Sequence, residues 1–118
     1  MADAVKRLLS ESLNGGEPIK ILGTDATSAD TIHIATNSTT EGTYDEVWLY
    51  VYSVHTSNVT LYILYGDCDL PLIIEIPPQC GKIPIEPGIP FQKSLTIKAY
   101  ASMTDVLAIQ GFVNRISD

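Results

Sequence analysis

The chain has 118 residues, 45% hydrophobic and 18% charged, a globular mixture and not a disordered one. A chain of this length is expected to form one domain and to bury about two thirds of its unfolded surface, so it needs neither metal nor disulfide to fold. Fourteen acidic against seven basic residues give a net charge of −7, which excludes the basic surface that nucleic acid or an anionic membrane would require.

The N-terminus carries Lys6 and Arg7 but neither the apolar stretch nor the cleavage site of an export leader, and no segment reaches the roughly 20 apolar residues of a membrane span. Synthesis in a cytoplasm without classical export is therefore expected, and the sequons at Asn37 and Asn58 read as chance matches. Residues 1–17 stand apart from 18–118. Val5, Leu8, Leu9 and Leu13 fall at helical spacing until Asn14-Gly15-Gly16 stops any helix. They predict a short amphipathic helix or an arm that orders against a partner, with a frayed terminus as the plainer alternative.

From residue 18 the apolar period switches to two. Ile19–Leu22 reads as a short strand. Thr31–Thr36 reads as a second, with Ile32 and Ile34 on one face and Thr31, His33 and Ala35 on the other. Small polar residues at 24–30 and 37–43 form exposed loops. The strongest strand is 44–53, where Val47, Leu49 and Val51 alternate with Trp48, Tyr50 and Tyr52. Val59–Leu64 repeats the pattern, with Leu61 and Ile63 against Tyr62, so the two segments read as a hairpin turning at Ser57–Asn58.

Leu70–Ile76 is a strand that Pro77–Pro78 ends, because proline cannot donate to a ladder. Pro84, Pro87 and Pro90 recur every third residue, which suits an extended edge more than a central strand. Ser94–Ala101 alternates again, and Val106–Ile116 closes the domain with a bulge expected at Gly111. About eight short strands separated by turns predict an all-β antiparallel sandwich, jelly-roll or Ig-like, with a short N-terminal arm or helix; a barrel is the alternative. A strand-like segment separates Cys68 from Cys80, which predicts free thiols.

Catalytic signals are sparse. His33 and His55 have no carboxylate or nucleophile at motif spacing and read as semi-exposed strand residues. Asp67-Cys68-Asp69 lacks the glycine and distal glutamate of a calcium loop, and nothing matches zinc spacing. Asp45 and Glu46 are adjacent on a strand and point to opposite faces, so they cannot flank one glycosidic bond. No catalytic residue, metal or cofactor is expected. The informative set is Trp48, Tyr50, Tyr52 and Tyr62, which the hairpin would place on one face. They suit a subunit or partner interface, a surface covered by the N-terminal arm, or a platform for stacking sugar rings.

Ala-Val-Lys-Arg-Leu-Leu-Ser (4–10), Thr-Ile-His (31–33), Asp-Glu-Val-Trp-Leu-Tyr (45–50) and Gly-Phe-Val-Asn-Arg-Ile (111–116) resemble small tailed-bacteriophage virion proteins of the capsid decoration, or cement, type. The resemblance is spread over most of the chain. It implies a β-sandwich subunit, commonly a homotrimer, that sits on the capsid exterior of the virion and clamps neighbouring major capsid proteins. The residues are compatible with that role. The aromatic face would serve self-association, and Val5, Lys6, Arg7, Leu8 and Leu9 would form the capsid-docking arm. A carbohydrate-binding or host-recognition module and another head, neck or tail component are the alternatives. Aromatics buried at a subunit contact exclude glycan binding there, whereas aromatics lining an open groove favour it.

Overall fold

The computed structural model describes residues 3–117, which form two antiparallel β-sheets and no helix. The strands are β1 (Asp3–Leu8), β2 (Ile19–Lys20), β3 (Asp30–Ile34), β4 (Tyr44–Ser53), β5 (Val59–Tyr65), β6 (Leu72–Ile76), β7 (Ile83–Phe91), β8 (Thr96–Ala101) and β9 (Leu107–Ser117). Sheet A runs β1-β9-β4-β7, with β2 also on β9; sheet B runs β3-β8-β5-β6. The core lies between the sheets. Val47, Leu49, Val51, Ile109 and Val113 from sheet A meet Leu61, Ile63, Ile97 and Ala99 from sheet B. The expected all-β sandwich is the fold observed, since each alternating strand has one apolar face to bury.

The N-terminal segment is a strand and not a helix. Asp3 to Leu8 pair in register with Ser117 to Phe112, so Asp3 lies opposite Ser117 at one end of the ladder. An isolated helix this short is marginal in water, whereas β9 offers it a ready row of backbone partners. β1 and β2 lie end to end along the same edge of β9. The intervening chain leaves the edge at Leu9, whose side chain is buried in the core.

β4 and β5 do not form the expected hairpin. β4 lies in sheet A and β5 in sheet B, and residues 54–58 cross between the layers. A hairpin would set their two aliphatic rows side by side in one sheet. Placing the strands in facing sheets packs those rows against each other across the core.

In β3 the pairing with β8 shifts register between Thr31 and His33. Ile32 is buried, but so is His33, while Ile34 is exposed, so the expected assignment of faces fails from His33 onward. An extra residue in one strand turns every following side chain to the opposite face.

The three-residue proline spacing has a structural cause. Pro90, Pro87 and Pro84 of edge strand β7 sit opposite Glu46, Trp48 and Tyr50 of β4. Three residues on β7 thus match two on β4, and the ladder absorbs the surplus by slipping twice, at Gly88 and Ile85. Gly88 takes φ +79°, and the Trp48 indole lies where its Cβ would be. At Gly111 there is no bulge, because pairing with β4 runs without a shift. Close approach explains this glycine: a Cβ there would sit 2.0 Å from the carbonyl oxygen of Trp48.

Candidate functional site

The topology divides the aromatic set between opposite sides of the molecule. Trp48, Tyr50 and Tyr52 point outward from β4, while Tyr62 points outward from β5 in the other sheet. Two separate outer surfaces therefore replace the single expected platform.

On sheet A, Trp48 lies directly opposite Phe112, Tyr50 opposite Gln110 and Tyr52 opposite Ala108. The Trp48 and Phe112 rings stack with centroids 6.0 Å apart. The Lys6 ammonium sits 4.8 Å from the Phe112 centroid, a cation–π contact across the β1–β9 ladder. The Trp48 indole donates to Glu46 Oε1 at 3.0 Å, and Asn114 Nδ2 donates to the same oxygen at 3.2 Å.

Beside this stack the face becomes concave. A recess of about 540 Å³ has Tyr50, Phe112 and Gln110 among its lining residues, and a second of about 370 Å³ takes in Tyr52. Lys82 and Gln110 line both, so the two are parts of one groove. One bank carries Gly15, Gly16 and Pro18; the other carries residues 80–82. Gln110 Nε2 donates to the Gly16 carbonyl at 3.0 Å and ties the first bank to the floor. Gly15 and Gly16, at φ +80° and +106°, present backbone and not side chains to the groove.

Sheet B carries the second surface. Tyr100 of β8, Tyr62 of β5 and Ile73 of β6 lie opposite one another in a row across three strands. Tyr62 and Tyr100 stack with centroids 4.5 Å apart and planes 6° from parallel. Ile73 is 60% exposed and Leu70, just before β6, is 76% exposed. No family model, curated protein or solved structure matches the chain.

Of the expected docking arm, Val5, Lys6, Arg7 and Leu8 are exposed along β1, whereas Leu9 belongs to the core. The next residue, Ser10, donates its backbone N–H to His33 Nδ1 at 3.0 Å and accepts the Ile34 N–H on its hydroxyl at 2.8 Å. The arm is therefore anchored at its base to sheet B.

His33 is 1% exposed, not semi-exposed as its position in the sequence suggests. It reaches a carboxylate twelve residues along the chain. Because Nδ1 accepts from Ser10, Nε2 carries the proton and donates to Asp45 Oδ2 at 2.8 Å. Asp45 also accepts Arg115 Nε on Oδ1 at 2.7 Å, and Arg115 Nη2 and the Thr36 N–H on Oδ2, both at 3.0 Å. Burial alone would raise its carboxyl; hydrogen bonds from Arg115 and His33 outweigh that and hold it below the ordinary carboxylate value. Burial lowers His33 and keeps it neutral, against the pull of Asp45. Ser10, His33 and Asp45 share residue types with a nucleophilic triad but not its geometry, since Ser10 offers the imidazole its backbone and the ring is sealed from solvent.

A second buried carboxylate, Glu86 of β7, accepts the Tyr65 hydroxyl at 2.6 Å across the sandwich. Burial raises Glu86, with the Tyr65 hydrogen bond in partial opposition. Spacing could not reveal these partners. Only the alternation that turns Asp45 inward with Val47 and Leu49 marks one of them in the sequence.

Proposed function

We propose that the protein is a non-enzymatic structural subunit that works by binding other protein surfaces, and, on the resemblance of its sequence to cement proteins, that it decorates the exterior of a bacteriophage capsid as a homotrimer. The observation that carries the binding role is the apolar row Tyr100–Tyr62–Ile73 on the outside of sheet B, extended by Leu70. A sandwich needs only its inner faces apolar to fold. Large exposed apolar clusters on a second face mark protein contacts, where tyrosine is enriched. Sheet B is the subunit and capsid contact in this proposal, and Val5 and Arg7 on β1, the exposed edge strand of sheet A, add a secondary contact. Three weak copies on one trimer bind together, which raises avidity without new contacts.

The experiment is native mass by light scattering over a range of concentrations, followed by co-sedimentation with capsids. A constant mass of about 38 kDa, three chains of 12.8 kDa, supports the trimer. The double variant Tyr62→Asp/Ile73→Asp should then run as a folded monomer that fails to pellet with capsids. A wild-type protein that stays monomeric and does not pellet defeats the proposal.

A further inference from the structure

We propose that the groove on the outer face of sheet A is a binding site for a saccharide bearing a carboxylate. Three observations converge on it. Its floor carries Tyr50 and Tyr52, whose rings offer surfaces on which the C–H face of a pyranose packs while its hydroxyls reach the rim, and Phe112, already engaged by Trp48 and Lys6, closes one end. The polar groups on its lining are unspent: the hydroxyls of Tyr50 and Tyr52 and the Oε1 of Gln110 have no partner among the described residues, and Nε2 of Gln110 is held by Gly16. The tyrosine hydroxyls can donate to or accept from sugar hydroxyls, and Gln110 Oε1 can accept from them.

The third observation is charge. The chain has twice as many acidic as basic residues, yet no carboxylate lines either recess. Glu17, on the bank, accepts Asn14 Nδ2 at 2.6 Å, and Glu46 is turned to Trp48 and Asn114. Lys82, the one cation common to both recesses, has no ion-pair partner among the described residues. An uncompensated ammonium in a groove lined by aromatic residues recognises an anion attached to an apolar ring face, which is the chemistry of a uronate or sialate. A neutral sugar would leave that charge unused. This site is independent of the sheet B contact, and the two surfaces can be occupied together.

The test is a titration of the intact protein, followed by nuclear magnetic resonance, with three probes: tri-galacturonate, sialyllactose and neutral maltotriose. At least one acidic probe should bind, shifting the resonances of Tyr50, Tyr52, Gln110 and Phe112. Its affinity should fall at least tenfold in Lys82→Met and in Tyr50→Ala, and should be unchanged in Lys98→Met, an exposed lysine on β8 of the other sheet. The spectra of the unbound variants establish that each is folded. Binding of neither acidic probe overturns the proposal, as does binding untouched by both groove substitutions. Maltotriose binding as tightly as the acidic probes overturns the carboxylate assignment.

Discussion

Asp45 shows what a charge needs in order to sit in an apolar layer. Four donors from three residues converge on its two oxygens, so the cost of dehydrating the carboxylate is offset by charge-assisted hydrogen bonds. Removing the acceptor leaves the His33 and Thr36 N–H groups without partners and the Arg115 charge uncompensated. Asp45→Ala should cost about 3–5 kcal/mol in urea unfolding, and a loss under 1 kcal/mol would contradict this account. Gly111 makes a second case. Gly111→Ala drives a methyl into the backbone of β4 and should cost about 1–3 kcal/mol, whereas Gly81→Ala, with nothing within 4 Å, should be silent. Equal unfolding midpoints for the two variants would rule this out. At this scale the sequence reveals least. His33 and Asp45 meet only because β3 bulges, and Arg115 reaches them from 70 residues away.

Among the elements, β4, β5, β8 and β9 are legible from alternation, and the edge position of β7 from its prolines. Which sheet a strand joins is not legible. Alternation reports only that one face is buried, and a row such as Val59, Leu61, Ile63 satisfies that condition beside β4 or across from it. β1 was hidden for a related reason: Val5, Leu8 and Leu9 match a helical stripe, yet all of Asp3–Leu8 is exposed on the sheet edge and only Leu9 turns inward. The anchor is therefore Leu9 with Ser10, not the strand before them. A chain beginning at Leu8 should still unfold cooperatively, whereas Leu9→Ala in the full chain should lose about 2–5 kcal/mol. Thermal unfolding of both distinguishes them, and a greater loss from the truncation would assign the anchoring to β1 instead.

For the whole molecule, the buried ionisable groups set stability against pH with opposing signs. Burial lowers His33 from its ordinary value of 6.5, so the unfolded chain takes up the proton first and stability falls as pH drops below that value. Asp45, held low, adds its own loss only beneath the ordinary carboxylate range. Glu86 runs the other way. Its pKa is raised above 4.5, so its contribution is present below 4.5 and is lost as pH rises through the raised value. Glu86→Gln keeps an acceptor for Tyr65 without the buried charge. It should raise stability at pH 7 by an amount on the order of 1 kcal/mol while leaving the acid-side fall below 6.5 in place. Urea midpoints of both proteins from pH 4 to 8 check this; an unchanged midpoint at pH 7 would refute it.

The pairing of Asp3 with Ser117 makes the described chain very nearly a closed ring. Residues opposed in an antiparallel ladder are about 5 Å apart, so both ends of the described chain leave from one corner. A short glycine–serine link could join the ends, and new ones could be opened between Cys68 and Asp69 in the exposed turn before β6. Such a rewired protein should give the circular dichroism spectrum of the parent and unfold in a single transition.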